Sequence, residues 1–110
     1  MKILLDENID VKFKRVFDTK AHEVFTVRDM NWLGTGNGQL LKLLELNRFD
    51  VFIVVDKNLP YQQNITNLPL CIIVLNVKRN VLATIITLYP QIQELISKPV
   101  HKKIFVLNEK

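Results

Sequence analysis

The sequence predicts a single α/β domain, a mostly parallel sheet of four or five strands flanked by helices. Three observations predict it. Short apolar runs alternate with stretches of helical periodicity along the chain. The runs at 51–55 and 70–75 are continuously apolar, as strands covered on both faces are. The chain has 110 residues, enough for one core and too few for two.

Each element has its own signal. Lys2-Ile3-Leu4-Leu5 is a buried first strand that stops at Asp6-Glu7-Asn8. From Ile9 to Phe17, the residues Ile9, Phe13, Val16 and Phe17 fall on one helical face, and Asn8 is the expected N-cap. His22 to Val27 is the second strand. The following stretch, Arg28 to Gly36, is irregular. All three glycines of the chain stand at 34, 36 and 38, so the longest and most flexible loop is expected here. Asn37 is read as the cap of a helix running to about Asn47, with Leu40, Leu41, Leu43, Leu44 and Leu46 as its apolar surface. Asp50 to Val55 is the third strand and leads into Asp56-Lys57-Asn58. After Pro60 comes a polar segment, Tyr61-Gln62-Gln63-Asn64, read as a short helix or turn. Leu70 to Leu75 is the fourth strand. Val81 to Ile96 reads as a helix that kinks or restarts near Pro90, which lacks a backbone donor. Lys103 to Leu107 is a candidate last strand.

Composition narrows the function classes. Hydrophobic residues make up 48% and charged residues 24%, an ordinary globular balance. No signal segment is expected, because Asp6-Glu7 arrives too early, and no apolar run approaches a membrane span. The single cysteine, Cys71, lies in an apolar run and reads as a small core residue. A cytoplasmic location is the expectation. The net charge of +4 is compatible with a nucleic-acid partner, although the cations are scattered.

Ligands of open parallel sheets bind outside the carboxyl ends of the strands. Two strands here lead into acids, Asp6 with Glu7, and Asp56. If those strands are neighbours, the carboxylates converge, and converged carboxylates call for a cation or a shared proton. Mg²⁺ takes oxygen ligands and needs one or two carboxylates plus water and phosphate, the arrangement of metal-assisted phosphodiester hydrolysis. The competing reading is that Asp6 and Asp56 cap the turns that follow. Glu7 faces the other way on an extended chain, and Asp29 reads as a solvated loop acid. Trp32 could stack a base or plug the glycine loop. Gln62, Gln63 and Asn64, with Lys57, are substrate-contact candidates, or else a solvated turn. His22 and His101 lack ligand partners at metal spacing, and the glycines match neither the dinucleotide nor the Walker pattern.

Met1 to Asn8 resembles the opening of small PIN-like proteins, relatives of the toxins of bacterial and archaeal toxin–antitoxin pairs. The segments Thr26 to Trp32, Asn37 to Leu41 and Val55 to Asn64 resemble one branch of that group, so the resemblance spans nearly the whole chain. It implies a PIN-like three-layer fold and an endoribonuclease dependent on Mg²⁺ or Mn²⁺. Asp6 and Asp56 would be its principal acids and metal ligands. Asn37 and Asn58 stand where many relatives carry further acids; they would ligate through amide oxygens, with Glu7 or Asp29 as substitute carboxylates. The implied partners are RNA and an antitoxin-like protein, with a homodimer open and no membrane. A catalytically impaired module that binds RNA or protein is the alternative.

Overall fold

The computed structural model describes residues 1–55, 70–98 and 104–109. Five strands form one all-parallel sheet: β1 (Lys2–Leu5), β2 (Glu23–Thr26), β3 (Val51–Val54), β4 (Cys71–Asn76) and β5 (Ile104–Asn108). Their order in space is β2-β1-β3-β4-β5. A 3-10 helix (Val11–Val16), α1 (Asn37–Leu46), α2 (Leu82–Thr87) and α3 (Tyr89–Ile96) cover the two faces. This is the α/β class with a parallel, helix-flanked sheet that the sequence predicts. No described helix is long and apolar enough to cross a membrane.

The pleat of the strands divides the core in two. Ile3 and Leu5 of β1 point to one face, where Phe13, Phe17, Ile85, Leu88, Ile92 and Ile96 pack against them. Leu4 points to the other, with Leu40, Leu41 and Leu44 of α1 and Phe52 of β3. The three central strands are therefore buried on both sides, which explains why β3 and β4 read as continuous apolar runs. Cys71 is a core residue, and its burial pushes the thiol pKa up to about 11.

Several local expectations are corrected. The helix after β1 is a 3-10 turn, and Asp10, not Asn8, caps it by accepting from the Lys12 N–H at 2.9 Å. Asn8 is occupied elsewhere, as described below. Asn37 is the first residue of α1 rather than its cap; Gly36 precedes it and offers no side-chain bond. Leu46 is 78% exposed, so the buried stripe of α1 is Leu40, Leu41 and Leu44. The interruption near Pro90 is present. The chain breaks at Leu88, and Pro90 restarts it inside the first turn of α3, where a missing N–H costs nothing.

The connections have an uneven hand. From β1 to β2 the chain crosses the face carrying the 3-10 helix, moving toward the β2 edge. From β4 to β5 it crosses the same face, through α2 and α3, moving toward the opposite edge. Two parallel crossovers on one face in opposite directions have opposite hands. The β2 to β3 connection, through α1 on the other face, shares the hand of the first. Of the three, the β4 to β5 crossover is thus the one whose hand differs.

Candidate functional site

β1 and β3 are hydrogen-bonded neighbours, with Leu5 level with Ile53. The chain leaves β1 toward one edge of the sheet and β3 toward the other, so their carboxyl ends mark the topological switch point where ligands of doubly wound sheets bind. The adjacency required for the acids of these strands to converge is present. Asp56, Lys57, Asn58, Gln62, Gln63 and Asn64 lie outside the described residues, as does His101.

Asp6 continues β1 past its last paired residue. Its N–H donates to the Ile53 carbonyl at 3.0 Å, and its own carbonyl accepts from the Ile9 N–H at 3.0 Å. The residue is thus held between strand and turn, and it is 7% exposed. Burial is the largest cause raising its pKa, and the nearby Glu7 charge adds to it; the Glu7 and Asn8 N–H groups and the Asn8 side chain oppose the rise. The Asn8 amide donates to Asp6 Oδ2 at 3.4 Å. A buried carboxyl with a raised pKa and no cationic partner among the described residues has the character of a functional group. Asp6 does not cap a helix, since Asp10 has that task.

Glu7 is exposed and turns toward the glycine loop, where its Oε2 accepts from the Gly34 N–H at 3.4 Å. Gly34 has φ of +79°, a left-handed conformation in which a side chain would be strained. The loop thereby borders the acidic edge. It is also well bonded: Met30, Asn31, Trp32 and Thr35 all donate backbone N–H groups to carbonyls within it or at its start. Asp29 is no free acid. Its Oδ2 accepts from Lys14 Nζ and from the Thr26 N–H, each at 2.8 Å, and the Lys14 ammonium is the first cause lowering its pKa. Trp32 packs edge-on to Phe49 at 6.0 Å and joins the α1-side core, which is the plug arrangement. Asn37 is half-buried and makes no side-chain hydrogen bond to another described residue.

His22 stands at the opposite, amino end of the sheet. Its Nδ1 is 3.4 Å from the N-terminal amine, and burial, then that positive charge, lower its pKa.

Asn80 escaped the reading of the sequence, and Asn8 was read there as a helix cap. Asn80 donates from Nδ2 to the Asn8 carbonyl at 2.6 Å, and so ties the loop after β4 to the acid loop after β1. Asn8 itself braces Asp6. Their signal was position: both follow strand ends on the carboxyl edge, where sites of this architecture form.

Asp6 and Glu7 offer carboxylate oxygens and the neighbouring loops offer amides, a donor set suited to a hard cation such as Mg²⁺ or Mn²⁺. Among the described residues no group of three or more His, Cys, Asp or Glu is placed to hold a metal. The fold and the site define a class: a doubly wound, all-parallel α/β domain with a buried acid at its switch point. Compared with protein-family models, with curated proteins and with solved structures, the chain matches none.

Proposed function

We propose that the protein is a PIN-like endoribonuclease dependent on Mg²⁺ or Mn²⁺, acting in the cytoplasm as the toxin of a toxin–antitoxin pair. The observation that carries the proposal is Asp6, a buried, raised-pKa carboxyl at the β1/β3 switch point, beside a strand whose chain runs on into Asp56. Asp6 and Asp56 hold the cation in this reading, with Glu7 and the amides of Asn37 and Asn58 completing its surroundings. A divalent ion held by these residues would supply a water of lowered pKa and a counter-charge for the scissile phosphate. The residues of the chain position it: Asn8 orients the Asp6 carboxylate, and Glu7 links the acid edge to the glycine loop.

The experiment compares wild type with Asp6→Asn. Wild type should cleave single-stranded RNA with Mn²⁺ and stop with EDTA, and the variant should lose at least a hundredfold in rate. Mn²⁺ at a hundred times its Kd should add about 2.7 kcal/mol to wild-type stability, roughly 10 °C in melting temperature for a domain of this size. The variant should not respond. An unchanged cleavage rate in Asp6→Asn would remove the acid edge from the chemistry.

Asn37 and Asn58, neutral amides where the resemblance leads one to expect acids, favour a second reading, a module that binds RNA or an antitoxin-like protein without cutting. Wild type that binds RNA but cleaves nothing with either metal would select it.

A further inference from the structure

The loop after β4 is held at both ends. On the β5 side, Asn76 Nδ2 donates to Asn108 Oδ1 at 2.7 Å, and the Lys78 N–H donates to Glu109 Oε1. On the β1 side, Asn80 donates to the Asn8 carbonyl. Because β3 lies between β1 and β4, this loop reaches past the end of β3 to meet the acid loop. Between its two anchors stand Lys78 and Arg79, both exposed. Among the described residues the ion pair present is Lys14 with Asp29; Lys78 and Arg79 have no such partner there. Two adjacent exposed cations therefore stand on a backbone that Asn80 ties to the segment carrying Asp6. Cations carried on a tied backbone near an acidic edge suit a polyanion, whose backbone phosphates they contact while the acids act at a neighbouring one.

We propose that Lys78 and Arg79 form a phosphate subsite that holds a single-stranded RNA backbone across the carboxyl edge of the sheet. This rests on the ribonuclease reading for its choice of ligand, and it adds the residues that bind rather than cut. Arg79 offers a planar fork to phosphate oxygens, and Lys78 a point charge.

The test measures binding apart from cleavage. A fluorescein-labelled 12-nucleotide single-stranded RNA is titrated with protein in EDTA, by anisotropy, over a series of KCl concentrations. Lys78→Gln/Arg79→Gln is compared with wild type and with Lys12→Gln/Arg15→Gln, which removes the same charge from the exposed side of the 3-10 helix. Wild type should bind with strong salt dependence. The Lys78/Arg79 variant should weaken by about tenfold or more, and its slope of log K against log salt should fall by about 1.4, two contacts at about 0.7 each. The Lys12/Arg15 variant should stay close to wild type. Equal weakening in both variants, an unchanged Lys78/Arg79 variant with an unaltered melting temperature, or wild type that fails to bind would each overturn the subsite. If binding behaves as expected while wild type cuts nothing with Mn²⁺, the subsite stands and the nuclease reading falls. If Mn²⁺-dependent cutting persists with unaltered KM in the Lys78/Arg79 variant, the reverse holds.

Discussion

Asp6 makes the acid edge measurable without any ligand. Its folded-state pKa lies above the value in the unfolded chain, so the folded state holds this proton more tightly. The stability this confers is fully present below the unfolded pKa, near 3.9, and is lost as pH rises through the raised folded value. Asp6→Asn carries no proton to lose. In EDTA, urea unfolding should show the variant more stable than wild type at pH 7, with the advantage shrinking to nothing by about pH 3. Parallel curves across the whole range would mean that the carboxyl is better solvated than its burial implies. The neighbouring acids divide by environment rather than by spacing along the chain. Asp29 has a lysine and a backbone N–H, and Asp10 has a helix end to cap. Nothing in the residue types forecast that division; it follows from the partners each acid meets in the fold.

Among the elements, the 3-10 helix shows how far periodicity can be read. Ile9, Phe13 and Phe17 do share one buried face, as their spacing predicts. The hydrogen bonding is tighter than α: Asp10 caps the start through the Lys12 N–H, and Phe13 and Phe17 bond three residues back, to Asp10 and Lys14. The spacing of apolar residues fixes which face is buried but says little about which side chain wins the cap. Phe13 is fully buried and meets Phe17 edge-on at 5.4 Å and Tyr89 of α3 at 6.5 Å. It joins the first crossover to the last. Phe13→Ala should cost about 3–5 kcal/mol in urea unfolding, a large share of the stability of a small domain. A loss under 1 kcal/mol would show that the cavity closes by repacking α3.

At the scale of the whole molecule, the class was legible because doubly buried strands such as β3 and β4 leave a continuous apolar run, and the five strands present fall within the four or five expected. Strand order was not, since it depends on which face each connection crosses, and that is decided by packing between helices distant in sequence. The site was legible in half: Asp6 was found by the strand-end rule, whereas the bond from Asn80 to Asn8 joins residues whose proximity only the order β1-β3-β4 creates. The same topology isolates β5. Among the described residues it is an edge strand paired with β4 alone, and its Ile104 and Val106 are exposed at 43% and 53%. Backbone amides of β5 should therefore exchange with deuterium much faster than those of β3, which is flanked on both sides. Equal protection of the two strands would make the sheet a single cooperative unit.

The minority hand of the β4 to β5 crossover has a consequence for how the chain can fail. Until β5 docks, by a crossover unlike the two before it, the edge of β4 is bare. That edge is Cys71-Ile72-Ile73-Val74-Leu75, uncharged, β-branched and free of proline, the composition that stacks readily into cross-β assemblies. β5 in this sense is the protein's own gatekeeper, a short strand whose first duty is to deny β4 to other molecules.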